Sequence, residues 1–144
     1  MDDDDVQWQR IEVIVGPDDG TTWEEARNRF LAHLRANLKL PCLVTGIEDF
    51  QWEEVYVIGY GDRREYRRLK LKQPSYTDVY ELQSIEVGPS SEWMMSDNDI
   101  AARCRRLRDD KVFDLGLAEL EADGKKSKER GILHDYAVWF CNSR

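Results

Sequence analysis

Apolar residues recur at steps of three and four between Trp23 and Leu38. Trp23, Ala26, Phe30, Leu34 and Leu38 form one stripe, with Glu24, Arg27 and Arg35 lying off it. The spacing predicts an amphipathic helix over residues 22–38. Thr21 and Thr22 offer N-caps, and Glu24 and Glu25 follow three residues later in the spacing of a capping box. Both acids sit at the end of the helix that the backbone dipole favours for negative charge. Pro41 stops the helix.

Elsewhere the period shortens towards two. Gln7 to Val15, QWQRIEVIV, alternates loosely and ends in β-branched residues, which predicts an edge strand before the turn Gly16-Pro-Asp-Asp-Gly20. Cys42 to Gly46 and Glu54 to Ile58 read as strands, the second ending in the turn Gly59-Tyr-Gly-Asp62. Arg64 to Leu71 reads as a short helix with Tyr66 and Leu69 facing in. Asp78 to Val87 is a strand with imperfect alternation. Val79, Glu81, Gln83 and Ile85 fall on one face, and Tyr80, Leu82 and Val87 largely on the other, so either face could be the buried one. Gly88 to Ser96 is a loop expected to fold Trp93, Met94 and Met95 back on the core. Ala101–Leu107 and Lys111–Leu117 flank the turn Arg108-Asp-Asp110 as a hairpin, with a helix through Ile100–Leu107 as the competing reading. Leu117 to Leu120 ends the second arm, Ala122 to Arg130 is a polar loop, and His134 to Phe140 closes the chain as a short helix or strand.

One helix followed by several short strands points to an α+β fold. The expected architecture is a small curved antiparallel sheet, or an SH3-like partly open barrel, with one N-terminal amphipathic helix packed on it. Trp23, Phe30, Leu34, Leu115, Leu120, Tyr136 and Trp139 are expected to share its core. The 144 residues read as a single domain, with residues 1–6 a disordered acidic terminus.

Charge changes this picture. The net charge is −8, and its excess lies in residues 1–62, which hold fourteen acids against five bases. Such a surface repels nucleic acid and anionic membranes and attracts divalent cations and basic partners. The basic run Arg63 to Lys72 could hold a phosphate, but acids flank it and no glycine-rich loop cradles an anion. No apolar run approaches the ~20 residues of a membrane span. The acidic start MDDDDV is unlike a secretory signal, and the expected location is the cytoplasm. Cys42, Cys104 and Cys141 show neither a disulfide nor a metal-ligand spacing and read as reduced thiols.

The densest chemistry is Ile47 to Tyr66, IEDFQWEEVYVIGYGDRREY. It interleaves Glu48, Asp49, Glu53, Glu54 and Asp62 with Phe50, Trp52, Tyr56 and Tyr60. Carboxylates packed together repel, and either a hard cation such as Ca²⁺ or arginine and lysine partners must compensate. Two readings follow: a cation site, or a salt-bridged sheet surface. A strand through Glu53 and Glu54 would point them to opposite faces, so at most one would join a given site. An EF-hand is excluded, since Asp97-Asn-Asp99 runs into Arg103 and Cys104 where glycine and oxygen ligands are needed. Two histidines, His33 and His134, in no H-x-x-x-H arrangement, argue against zinc. His33 reads as a structural or surface residue. Glu48 and Asp49 with Glu53 and Glu54 could form an acid–base pair as in glycoside hydrolysis, but no nucleophile motif accompanies them and a non-enzymatic protein is expected.

Short segments at the two ends of the chain resemble a family of small bacterial calcium-binding proteins first described in cyanobacteria. They are the step Asn37-Leu-Lys-Leu-Pro-Cys42 after the helix, then Leu115-Gly-Leu-Ala-Glu-Leu120, Asp123, and the aromatic end Asp135-Tyr-Ala-Val-Trp139. They cover roughly a third of the chain. The middle, Glu48 to Ser96, carries a motif of its own, as in a divergent relative. The resemblance implies an SH3-like barrel decorated by a helix and calcium bound by surface carboxylates. It carries over no individual ligand.

Together these features lead to an expectation of weak calcium binding, as a buffer or a calcium-responsive protein. The expected ligands are Glu48, Asp49, Glu53, Glu54 and Asp62, with Ca²⁺ the only cofactor. The alternative is a non-enzymatic binding module, like a toxin-neutralising immunity protein, whose acidic face docks a basic partner through exposed Trp52 and Tyr56.

Overall fold

The computed structural model describes residues 3–87, 99–124 and 127–143. In chain order the elements are helices α1 (Asp3–Val15) and α2 (Trp23–Asn37), strand β1 (Cys42–Gly46), short helices α3 (Glu54–Val57) and α4 (Arg63–Leu69), strands β2 (Val79–Val87), β3 (Ile100–Arg106), β4 (Val112–Gly116) and β5 (Leu120–Ala122), and helix α5 (Lys128–Asn142). Single 3₁₀ turns precede α3 and β5. The fold is α+β. Its sheet is curved, antiparallel throughout and open, in the order β4-β3-β2-β1-β5, so β4 and β5 are edges and no barrel closes.

Helix α2 forms where the apolar stripe places it. Thr22 Oγ1 accepts the Glu25 N–H at 3.1 Å and the Glu25 carboxylate accepts the Thr22 N–H at 3.4 Å, a complete capping box. The stripe meets α5. Phe30 packs edge-on against Tyr136 and tilted against Trp139, with ring centroids 5.3 and 5.5 Å apart, and Trp23 stacks on Trp139 at 5.4 Å. Phe30, Leu34, Leu115, Leu120, Tyr136 and Trp139 are buried in one cluster, with Trp23 packed against it, so the expected core is the observed one. Burying a side chain of the size of Phe30 contributes about 1.5–3 kcal/mol.

Three expectations are corrected. Gln7 to Val15 is not an edge strand. The chain is helical from Asp3, which also replaces the expected disorder there. Gln7, Ile11 and Val15, spaced by four, are the buried residues of α1, and Asp3, Asp4 and Asp5 lie in its first turn, where the dipole favours them. The β-branched content of EVIV is overridden by packing against α2 and α5. Glu54 to Ile58 is not a strand either. It lies in the connection between β1 and β2 with no strand beside it among the described residues, and its backbone is satisfied locally by one helical turn. Third, α5 begins at Lys128, inside the expected polar loop. Ser127 caps it by accepting the Arg130 N–H.

The imperfect alternation of β2 has a cause. The register against β3 slips between Leu82 and Ser84, a bulge that leaves Gln83 as the extra residue. Tyr80 and Leu82 before it and Ile85 after it therefore all face the core. The β3–β4 hairpin forms as expected, with Asp110 at φ +62° in its turn. The loop containing Trp93, Met94 and Met95 lies outside the described residues.

Candidate functional site

The acidic stretch after β1 splits into an inward and an outward half. Glu53 is fully buried. Its carboxylate accepts from the Tyr66 hydroxyl at 2.6 Å, the Ser75 hydroxyl at 2.7 Å and the Tyr76 N–H at 2.8 Å. It thus anchors the connection between β1 and β2. Tyr66 stacks face to face on Tyr56 at 4.9 Å, and Trp52 meets both rings edge-on. The Trp52 indole N–H donates to the Pro74 carbonyl at 2.7 Å, and the Tyr56 hydroxyl donates to Glu65 at 2.8 Å. Tyr56 is buried and Trp52 half-buried. The expectation that both are exposed docking anchors is thereby corrected: they are the small aromatic core of this lobe. Glu54 is exposed on α3. Asp62 is the N-cap of α4 and accepts the Arg64 N–H at 2.9 Å.

Glu48 and Asp49 go elsewhere. The end of β1 is tied to the 3₁₀ turn Leu117–Glu119 by the Ile47 N–H, which donates to the Glu119 carbonyl at 2.9 Å. This bond sets Glu48 and Asp49 beside Glu119 in an open cleft of about 380 Å³. Ala137, Val138 and Cys141 of α5 form its other wall, with His134 at the edge. Beneath lies Asp99, 1% exposed. It accepts from the Tyr136 hydroxyl at 2.6 Å, the Ile100 N–H at 2.7 Å and the Ala118 N–H at 3.1 Å.

Gly116 shows how closely two of these acids converge. A Cβ there would stand 2.6 Å from Asp99 Oδ2 and 3.7 Å from Glu119 Oε2. Asp99 is well supplied with donors, but Glu119 Oε2 is buried with no hydrogen-bond partner among the described residues. Burial, the Asp99 charge and the Glu48 charge together push the Glu119 carboxyl up to about 7. Among the described residues no three His, Cys, Asp or Glu side chains converge as a metal-ligand group. The three carboxylates that line this cleft, Glu48, Asp49 and Glu119, are therefore not a preformed ligand cage.

Sequence reasoning missed Asp99 and Glu119 as members of this site. Glu119 stands between apolar Ala118 and Leu120 in a segment otherwise buried, an acid where the pattern has no room for one. That signal was available. Asp99 had none, because its place beneath Glu119 depends on β3 lying beside β4. His134 and Asp135 do not bond one another: Gln7 Nε2 reaches His134 Nδ1 and Asp135 Oδ1, each at 3.0 Å, and Arg10 pairs with Asp135. A second groove, of about 500 Å³, lies between α1, α2 and α5, but its one carboxylate is this Asp135, already committed.

No protein-family model and no curated protein matches the chain. Among solved structures, the crystal structure of Anabaena CcbP aligns with 99% of this chain and 95% of its own, at a TM-score of 0.59 and 14% identity. A structure described as a calcium-binding protein in the calcium-binding form aligns with 98% of this chain and 94% of its own, at 0.58 and 16%. The likeness noticed at the two ends of the sequence thus extends, as a shared fold, over nearly the full length of the chain.

Proposed function

We propose that this protein binds Ca²⁺ weakly in the cleft between β1, the Leu117–Glu119 turn and α5. Glu119 supplies the central oxygen, and Glu48 and Asp49 supply oxygens from the rim. The observation that carries the reading is Glu119 Oε2, a buried carboxylate oxygen with no donor among the described residues and with two acids near it. A divalent cation relieves both defects at once, since it replaces the missing donor and cancels the repulsion. The shared fold with a protein described in a calcium-binding form supports the same reading. Of the ligands expected from sequence, Glu53 is occupied by three donors, and Glu54 and Asp62 lie outside the cleft lining. Calcium accepts six to eight oxygens in loose geometry, and a half-formed site of this kind binds on the order of 10⁻⁴ M. Such a site buffers calcium or responds to it gradually.

Isothermal titration with CaCl₂ tests this. Wild type should give a single weak isotherm. Glu119→Gln should abolish it, and Glu48→Gln with Asp49→Asn should weaken it by about tenfold. Absence of heat and of a thermal shift at millimolar calcium overturns the reading. Binding that survives Glu119→Gln keeps calcium but moves the site. Docking of a basic partner on the acidic N-terminal half keeps its charge argument but loses the aromatic anchors, which makes it the second reading.

A further inference from the structure

The basic run that sequence analysis set aside becomes a surface in the fold. Helix α4 carries Arg63, Arg64, Arg67 and Arg68, and at 100° per residue these four span an arc of roughly 140°. Tyr66, on the other side of the helix, is the buried residue, so the arginines point outward together. All four are exposed. Among the described residues none of them has a carboxylate within ion-pairing distance, whereas the sheet and hairpin arginines Arg103, Arg105, Arg106 and Arg108 are all paired. The two neighbouring acids are engaged elsewhere, Asp62 in capping the helix and Glu65 with the Tyr56 hydroxyl. In a chain of net charge −8, four unpaired arginines on one helical face are not explained by a shortage of acids. Beside them the turn into α4 exposes Ile58 at 60% and Tyr60 at 84%.

We propose that α4 and the Ile58–Tyr60 turn form a docking surface for an acidic segment of a partner protein. Charge complementarity names the class of partner, and three features select a protein over other polyanions. The cations are mostly arginine, which pairs bidentately with carboxylates and is enriched at protein interfaces, where lysine is depleted. A tyrosine and an isoleucine flank them and supply an apolar anchor. The rest of the molecule is negative, which opposes approach to a membrane plane or a long nucleic acid but not to a short segment that covers two helical turns. The polarity is the reverse of the acidic-face docking expected from sequence, and the surface is separate from the calcium cleft.

The test uses the whole protein at about 20 mM salt, where screening is weak. Fluorescently labelled poly-L-glutamate, a single-stranded RNA and vesicles containing phosphatidylserine are titrated in parallel. Poly-L-glutamate should bind the wild type at least about tenfold more tightly than it binds Arg64→Glu/Arg68→Glu, and that difference should shrink with added salt. Tyr60→Ala should weaken binding of a glutamate peptide that carries one leucine more than that of poly-L-glutamate itself. Because these side chains are exposed and unpaired, the variants should melt like the wild type. If charge reversal nonetheless unfolds the protein, Arg64→Gln/Arg68→Gln provides the same comparison. Equal binding by wild type and variant, no binding of poly-L-glutamate, or tighter binding of RNA or vesicles each overturns the proposal.

Discussion

Glu53 and Glu119 both turn inward, yet Glu53 accepts three hydrogen bonds and Glu119 Oε2 accepts none from the described residues. Removing Glu53 leaves two hydroxyls and one N–H without their charged acceptor. Glu53→Ala should therefore cost roughly 3 kcal/mol in urea unfolding, and calcium titration should be unaltered in the fraction that remains folded. Glu119 has the opposite linkage. Its folded pKa, about 7, lies above the ordinary carboxyl value of 4.5, so folding favours its protonated form. The stability it contributes is complete below about pH 4.5 and is lost as pH rises towards 7 and beyond, an effect of about 1–2 kcal/mol in this partly solvated site. The melting temperature of the wild type, followed across this window against Glu119→Gln, should show that component only in the wild type. Calcium competes with the same proton, so the calcium-induced thermal shift should be larger at about pH 8 than at about pH 6.

Among the elements, the β3–β4 hairpin depends on Arg106. Its side chain is fully buried. It pairs with Asp109 at 2.7 Å and Asp78 at 3.2 Å, and donates to the carbonyls of Lys70, Leu71 and Gln73. One guanidinium thus joins the hairpin turn to the loop that follows α4. It also holds the Asp109 carboxyl down at about 2. Arg106→Met should destabilise by about 2–3 kcal/mol, because Asp109, Asp78 and the Gln73 carbonyl lose charge-assisted bonds from a fully buried guanidinium while the methionine fills only part of the volume. Hydrogen exchange should then rise first in residues 70–78, the segment held by the lost bonds. In the sequence Arg106 was one base among five in Arg103–Lys111 and did not stand out. Its burial follows from the register of β3 against β2, where it stands opposite Tyr80.

The whole molecule offers two surfaces of opposite sign. If calcium binds on the order of 10⁻⁴ M, a hundredfold excess over that value should stabilise the native state by about 2.7 kcal/mol. A thermal melt at about 10 mM CaCl₂ against the same concentration of MgCl₂ measures it. Magnesium should do less, because it requires near-octahedral geometry and gives up its water reluctantly. A core variant, Phe30→Ala, should cost about 3–5 kcal/mol and weaken both states of calcium loading alike, since Phe30 touches α5 but not the cleft.

Local pattern was enough for the elements whose periodicity and end signals agree. Helix α2 has its stripe, its capping box and its proline stop all within about twenty residues, whereas a helix through Ile100–Leu107 competed with the β3–β4 hairpin until strand pairing decided between them. The sharing of one core by Trp23, Phe30, Leu115 and Trp139 followed from the same reasoning, because large apolar stripes have few places to go. Tertiary structure decided the rest. It made α1 a helix by giving Gln7, Ile11 and Val15 a partner face, and it made Glu54–Val57 a helical turn by placing no described strand beside it. It also parted the acidic stretch, turning Glu53 towards Ser75 and Tyr76 and setting Glu48 and Asp49 against Glu119, some seventy residues away in the chain. Charge along a sequence records which acids exist; only the pairing of strands decides which of them meet, and which are left without a donor.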